Sequence, residues 1–325
     1  MRIAVIGPMF PDSFADNVTD SLRRMGHEPD PLGPTYRAMG SKVGALIRQL
    51  AESSPKAALG LQSRVVAKAT RSRYDVVIAV EGALLPEAVT RIKRNGSAVA
   101  LWFGDAVSDL GRAQMFLADY DVVCLKDSEL VRRCRTALPV NVMYLPEACN
   151  PSWHRPCDVT IEPVVVVAGN MHVFRLRLLE RLVQAGIPLR IYGPPWASWL
   201  RSQVLQPCYT NQYIARDDKA RVFRSAGVLL NCMRPGEMAS VNCRLFEAAG
   251  CGAAVLTEER PDRTGLFEAD TEVATFDSFD VLIDRIRWML DHPEAARSMG
   301  DRAAIRAHTD HIYERRLCKL LGAVS

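Results

Sequence analysis

Several familiar signatures are missing from this chain of 325 residues. Its opening apolar run, Ile3–Gly7, turns at Gly7-Pro8 without the G-x-G-x-x-G spacing that lets a dinucleotide pyrophosphate approach the backbone. A G-x-x-x-x-G-K-[ST] phosphate loop is absent, and so is a G-x-S-x-G nucleophile elbow. These gaps exclude NAD enzymes of that type, Walker-type ATPases and the common hydrolase pattern. The nine cysteines are odd in number and form no C-x-x-C pair, and the six histidines are scattered. Reduced core thiols are therefore expected, with no disulfide frame and no metal site. No apolar stretch approaches the roughly 18 residues that read as a membrane span. The N-terminus has neither the apolar core nor the small-residue cleavage site of a signal peptide, so a cytoplasmic location is expected. Lysine is scarce, with 7 against 34 arginines, and no basic run is long enough for a nucleic-acid tail. The modest net charge of +4 suits anionic small molecules such as nucleotides.

What is present is a repeated alternation of strand and helix. Continuous Val/Ile/Leu/Ala runs mark strands at Ile3–Gly7, Asp75–Val80, Ala98–Phe103, Asp121–Leu125 and Val142–Leu145. A second set covers Val164–Gly169, Leu189–Gly193, Gly227–Asn231, Ala253–Thr257 and Val273–Phe276. Runs of this kind, rather than polar-apolar alternation, belong to strands covered on both faces. Helical patterns lie between them, including Ala15–Met25, Lys42–Ser53, Arg175–Ala185, Asp217–Ser225, Cys243–Ala249, Phe279–Leu290 and Glu294–Ala307. The expected fold is α/β, with two Rossmann-like, doubly wound parallel-sheet domains facing a cleft. The length agrees, at roughly 100–200 residues per domain. The first domain is expected over 1–150 and the second over 151–305, with a closing helix at 306–325 packing back on the first. A linker is expected at Pro146–Glu162, which carries three prolines, with a fourth following at Pro163, and no clear period. Residues 26–73 hold one or two basic helices, with Arg48, Arg64, Lys68, Arg71 and Arg73.

Doubly wound sheets bind ligands beyond the carboxyl ends of their strands. The loops to examine therefore start at Gly7, Glu81, Gly104, Gly169, Gly193 and Asn231. The most informative segment is Leu229–Glu258. Its strand ends at Asn231, a loop carries Pro235 and Gly236, and a short helix begins at Asn242 or Cys243 and stops at Gly250 or Gly252. The backbone N–H groups near Ser240, Val241 and Asn242 would form a helix N-terminus suited to phosphate. Arg244 and Glu247, three apart, share a helical face. Two readings stay open for them: Glu247 accepts hydrogen bonds from a ribose diol, or the two residues pair with each other on a surface.

Arg244-Leu245-Phe246-Glu247-Ala248-Ala249-Gly250-Cys251-Gly252 resembles the donor-binding core of group 1 GT-B glycosyltransferases, nearest their CgeB-like, spore-maturation branch. The segments YDVVIAVEG, AVALWFGDA, YDVVCLKDSELV, YLPEACNPSWHRP, VVVAGNMHVFRLRLLERL and LRIYGP fit that branch in order, as does the closing HTDHIYERR. The resemblance covers most of the chain and is weakest over residues 26–73. It implies transfer of a sugar from a nucleoside diphosphate sugar to an acceptor. No bound cofactor, membrane span or nucleic-acid partner is expected, and the oligomeric state, donor base, sugar and acceptor stay open. Carried over by position, Glu247 holds the donor ribose and Arg175 meets the diphosphate, with Arg177 competing for that role. Gly169, Gly193, Asn231, Ser240, Val241, Asn242 and Arg244 complete the donor side. His172 is a candidate for phosphate or sugar contact.

On the acceptor side the candidates are Gly7, Pro8 and Glu81. Asp105 is expected as a catalytic base or orienting group, or else as a helix N-cap. Trp196 and Trp199 could line a ring or simply pack. His308 and His311 share a face of the terminal helix and lack a third ligand.

Two departures from the family stand out. Ala239 occupies the place of the first glutamate of the E-x7-E pattern, with Glu237 out of register, and no lysine neighbours Arg175 as a second phosphate clamp. No D-x-D sits in a plausible loop, and Asp217-Asp218 reads as a helix start, so a metal-independent reaction is expected, with retention favoured by the family. The alternatives are an epimerase of the same fold, a degenerate non-catalytic partner protein, and a DNA-base glycosyltransferase.

Overall fold

The computed structural model describes residues 1–35, 55–107 and 114–324. The helix expected over Lys42–Ser53 lies outside these described residues. The chain divides into two compact units, residues 1–146 together with 313–325, and residues 147–312. The boundaries thus fall at Pro146/Glu147 and Ile312/Tyr313, not at 150 and 305.

The first unit runs β1 (Arg2–Ile6), α1 (Phe14–Arg24), β2 (Glu28–Gly33), α2 (Pro55–Arg71), β3 (Val76–Val80), α3 (Pro86–Arg94), β4 (Ala98–Phe103), β5 (Val122–Leu125), α4 (Ser128–Ala137) and β6 (Val142–Tyr144). Its sheet is parallel, in the order β2-β1-β3-β4-β5-β6. The switch point therefore lies between β1 and β3. Helix α1 starts at Ser13, whose hydroxyl accepts the Asp16 N–H at 3.1 Å. Helix α4 starts the same way at Asp127, which accepts from Leu130 N–H at 2.9 Å.

Strand β2 has no counterpart in the sequence reading, because Pro29 and Pro31 break its pattern. It lies at the sheet edge, pairs only with β1, and sets Pro29 opposite Ile3 and Pro31 opposite Val5. The prolines occupy alternate positions, so their missing N–H groups fall on the unpaired side, where an edge strand tolerates them. The Glu28 N–H, between those positions in phase, still donates to Met1 O at 2.9 Å.

The second unit runs β7 (Glu162–Ala168), α5 (Val173–Gln184), β8 (Leu189–Tyr192), α6 (Arg216–Ser225), β9 (Ala226–Asn231), α7 (Cys243–Gly250), β10 (Val255–Glu258), β11 (Ala274–Phe276), α8 (Phe279–Asp291) and α9 (Pro293–Asp310). Its parallel sheet has the order β11-β10-β9-β7-β8, with the switch point between β7 and β9. Along β7, Val164, Val166 and Ala168 join one apolar layer while Val165 and Val167 join the other. Both faces are covered, as the unbroken Val run implies.

The proline-rich stretch after Pro146 is packed rather than linker-like. Cys149, Asn150 and His154 are buried, and Asn150 N–H donates to His154 Nδ1 at 3.0 Å. Gly250 is where this stretch meets α7: a Cβ there would lie 2.9 Å from Cys149 Cβ and 3.0 Å from His154 O.

The chain then breaks at His311 and returns to the first unit as α10 (Tyr313–Val324). Tyr313 is buried beside Trp102 and Phe14, with ring centroids 5.9 and 6.0 Å away. The single terminal helix expected over 306–325 is therefore two helices, α9 and α10.

Candidate functional site

In the second unit, β7 ends at Ala168 and the chain turns at Gly169, whose φ of 117° few side-chain-bearing residues adopt. It enters α5 through His172. The His172 ring caps that helix, its Nδ1 accepting the Arg175 N–H at 3.3 Å. Arg175, one turn in, is buried and folds back over both loops of the switch point. Its Nη1 donates to Asn170 O at 2.7 Å and its Nη2 to Cys232 O at 3.1 Å. One guanidinium thus fastens the loop after β7 to the loop after β9. Arg177, by contrast, is exposed and paired with Glu180 at 2.8 Å.

Helix α7 supplies the facing wall. Asn242 is its N-cap in extended backbone, yet its side chain caps no N–H. Arg244 donates to Glu247 at 2.6 Å, and its guanidinium lies over the Phe223 ring, 5.7 Å from the centroid. Lys219, from α6, reaches the same carboxylate oxygen at 3.1 Å. The Arg244–Glu247 pair is therefore made, but Glu247 is only 5% exposed and holds a second cation, so this is not a surface pair. Lys219 was not among the sequence candidates. The available signal was its spacing four before Phe223, which puts a lysine on the buried face of an amphipathic helix.

Arg244 and Arg175 converge. A Cβ built on Gly169 would meet Arg244 Nη2 at 3.2 Å and Arg175 Nη1 at 3.4 Å. Two guanidinium groups thus flank the bare face of one glycine at the switch point. His172 Nε2 and Arg175 Nε, in the loop and helix that follow Gly169, and Asn242 Oδ1, at the start of α7, are buried without a partner among the described residues. Native chains pair nearly all such atoms, so orphans like these call for a ligand or ordered water.

The electrostatics match. Burial, then Arg175 and Arg234, lower the His172 pKa to about 4, so the ring is neutral at pH 7. Burial, then Glu147 and Glu247, raise the Cys243 thiol well above its usual range, which keeps it protonated.

Other donor-side candidates have packing roles. A Cβ on Gly193 would strike Gly169 O at 2.5 Å, so this glycine lets the β7 and β8 loops touch. Asn231 is buried and donates to Thr257 Oγ1 at 3.1 Å, tying β9 to β10. Val241 sits in the apolar layer with Phe246 and Leu245, and Ser240 is buried beside it. Trp196 packs against Tyr209 with ring centroids 4.3 Å apart and planes tilted by 34°, whereas Trp199 is exposed. The two C-terminal histidines hold backbone: His308 Nε2 lies 2.9 Å from Gly250 O and His311 Nε2 lies 2.7 Å from Leu266 O. Ala239, in the place of the family's first glutamate, is buried, and its carbonyl accepts the Asp262 N–H at 3.1 Å.

The first unit presents a second cluster at its own switch point. Gly7 is fixed by packing, since a Cβ there would lie 2.4 Å from Val80 Cγ2, and Pro8 follows it half-buried. Glu81, directly after β3, has a φ of 64°, a conformation costly for a residue with a side chain. The Phe14 N–H at the start of α1 hydrogen-bonds to Glu81. Desolvation by the surrounding protein, then the nearby Asp105 carboxylate, raise the Glu81 pKa, although one side of the residue is open to solvent. Asp105 Oδ1 accepts the Ala106 N–H at 3.0 Å. Residues 108–113, which a cap at Asp105 would precede, lie outside the described residues.

The comparisons with known proteins agree with this two-sheet architecture. Residues 175–322, just under half of the chain, match the family described as glycosyl transferase-like. Among solved structures, sucrose-phosphate synthase from Thermosynechococcus elongatus superimposes with a TM-score of 0.67 at 12% identity, over 100% of both chains. HepE from Anabaena, in complex with UDP and glucose, gives 0.67 at 11% identity over 99% of this chain and 100% of its own. The fold is GT-B. AviGT4, a glycosyltransferase involved in avilamycin A biosynthesis, shares it with a TM-score of 0.63 at 15% identity, covering 99% and 96% of the two chains. No curated protein matches. Within the GT-B fold, Gly169, Arg175 and Glu247 belong to the second sheet's switch point, and Glu81 and Asp105 to the carboxyl-end loops of the first.

Proposed function

We propose that this protein is a glycosyltransferase that takes a sugar from a nucleoside diphosphate sugar and passes it to an acceptor. The observation that carries the reading is the convergence of Arg175 and Arg244 on Gly169, with orphaned polar atoms on His172, Arg175 and Asn242, residues of the loop and helices that supply the two cations. A diphosphate there receives charge-assisted hydrogen bonds from both guanidinium groups and N–H groups from the start of α7. Orphaned Arg175 Nε has its acceptor in a phosphate oxygen. His172 Nε2, in a ring whose Nδ1 already accepts from the helix, carries the proton and donates to the same group. Glu247, held by Arg244 and Lys219, faces the ribose hydroxyls. HepE, of the same fold, is known in complex with UDP and with UDP-glucose, which supports this donor class.

In this reading catalysis is electrostatic. As the glycosidic bond to the diphosphate breaks, negative charge grows on the leaving oxygen, and Arg175 and Arg244 stabilise it more in the transition state than in the ground state. These fixed cations do the work that a metal ion does in other transferases, so the reaction is metal-independent. Asp105 and Glu81 orient the acceptor hydroxyl. The ordered motifs favour the CgeB-like branch, retention of configuration rests on the resemblance, and the site of action is the cytoplasm.

Binding and turnover with UDP-, GDP- and ADP-sugars test the proposal. One donor should raise the melting temperature by mass action. Arg175→Ala should lower turnover about 100-fold or more, the loss expected when a transition-state contact is removed, and Glu247→Ala should lower it through weaker donor binding, in protein that still unfolds cooperatively. Full activity in both variants would overturn the site. Ala239 favours a second reading, a nucleotide-sugar-binding protein without transferase activity. Glu237, buried in the same loop two residues away, weighs against it. A melting shift with no sugar transfer to any acceptor would select the second reading.

A further inference from the structure

The first unit contains a cavity of about 190 Å³ at the carboxyl end of β2, between that strand's exit and helix α2. Leu32, Leu61 and Val65 give it apolar walls, and Arg64 and Lys68 supply two cations. Arg64 and Lys68 are four apart on α2, so they project from one helical face, where like charges repel. Neither is paired with a carboxylate among the described residues. Lys68 Nζ spends one of its three protons on Leu32 O at 2.8 Å, which holds the ammonium at the cavity and leaves two donors. Thr35, also in the wall, donates to Gly82 O at 3.2 Å and packs against Gly82 so closely that a Cβ there would lie 2.5 Å from Thr35 Oγ1. The cavity wall is therefore in direct contact with the loop that carries Glu81.

We propose that this cavity is an oxyanion subsite that takes the phosphate or carboxylate end of a small acid with an apolar body. Arg64 and Lys68 neutralise the oxyanion, and the leucines and Val65 cover the body. The contact between Thr35 and Gly82 leads from this anchor to Glu81, so the neutral end of the same molecule lies on the acceptor side. That last step rests on the transfer reaction proposed above and makes the acceptor an anionic molecule. Oxyanion binding itself does not depend on it.

The test is calorimetric titration of the full chain with phenyl phosphate, benzoate, inorganic phosphate and the uncharged benzyl alcohol. Phenyl phosphate or benzoate should bind saturably, at least about tenfold tighter than benzyl alcohol, the scale of one charge-assisted contact, and more weakly as salt is added. The tighter of the two identifies phosphate or carboxylate as the natural group. Arg64→Gln, at an exposed position, should weaken binding about tenfold, and Arg64→Gln with Lys68→Met should abolish it. UDP binding should be unchanged in both variants, which shows that they are folded. Equal affinity for the acids and benzyl alcohol, or wild-type affinity in Arg64→Gln and the double variant, would overturn the subsite. Failure of the wild-type protein to bind any nucleotide would instead overturn the donor reading and leave the subsite standing.

Discussion

Lys219 Nζ meets the Glu247 carboxylate at 3.1 Å, and both side chains are buried. Arg244 shares the same oxygen at 2.6 Å. The desolvation cost of such a cluster is large, and removing one member leaves a buried charge uncompensated. Lys219→Met is therefore expected to destabilise the second unit by about 3 kcal/mol, read as a lower urea midpoint. Glu247→Gln should cost at least as much, because it strips the counter-charge from two cations. A Lys219→Met midpoint equal to wild type would mean that the pair is incidental.

Arg175 tests whether a flat, forked cation is needed. It bonds Asn170 O and Cys232 O from two nitrogens, Nη1 lies 3.4 Å from where a Gly169 Cβ would stand, and the third nitrogen, Nε, is buried without a partner among the described residues. Lysine keeps the charge but cannot span both carbonyls and a phosphate at once. Arg175→Lys should lose about 1–2 kcal/mol of stability from the broken bridge. It should also weaken nucleotide binding about tenfold or more, as one charge-assisted contact is lost. Titration calorimetry with UDP measures the second effect. Unchanged affinity would move the diphosphate away from Arg175.

Much of this arrangement was legible in the sequence where one physical signal dominates. Strands buried on both faces, such as Val76–Val80 and β7, announce themselves as unbroken apolar runs. The switch-point glycine Gly169 and Glu247 followed from strand ends and motif order. What the sequence hid depends on partners distant along the chain. Edge position excuses Pro29 and Pro31, but no local pattern says which strand is at the edge. Lys219 becomes part of the site only because α6 packs against α7. His308 and His311 share a face by spacing and lack a third ligand, but only the packed fold shows that their rings go to separate backbone carbonyls. The proline count after Pro146 suggested a linker, yet Asn150 and His154 build a buried turn there.

His172 gives the second unit an acid sensitivity. Its folded pKa of about 4 lies below the ordinary 6.5, so between these values the unfolded chain binds a proton that the native chain does not. Stability from this group is complete above pH 6.5 and is lost as pH falls towards 4. Melting temperatures measured across that window should decline for the wild type. His172→Asn, which retains a capping side chain, should flatten the part of the decline between pH 6.5 and 5, before most carboxylates titrate. Parallel curves for the two proteins in that range would show that the ring is not held neutral.

Gly193 makes the sharpest steric prediction. In Gly193→Ala the new methyl would sit 2.5 Å from Gly169 O and 3.3 Å from Gly169 C, both backbone atoms. Gly169 has little freedom to retreat, because its N–H is bonded to Tyr192 O at 3.0 Å and its far side faces the two guanidinium groups. The carboxyl end of β8 must move away from β7, at an expected cost of about 1–3 kcal/mol for an overpacked contact. That displacement also shifts the glycine on which Arg175 and Arg244 converge, so nucleotide affinity should fall together with stability. Gly265→Ala is the control: a Cβ there meets nothing within 4 Å, and its stability should stay within about 0.5 kcal/mol of wild type. Urea denaturation and UDP titration on both variants separate the outcomes. If Gly193→Ala binds UDP like Gly265→Ala while losing stability, the contact matters to the fold alone and the nucleotide lies elsewhere.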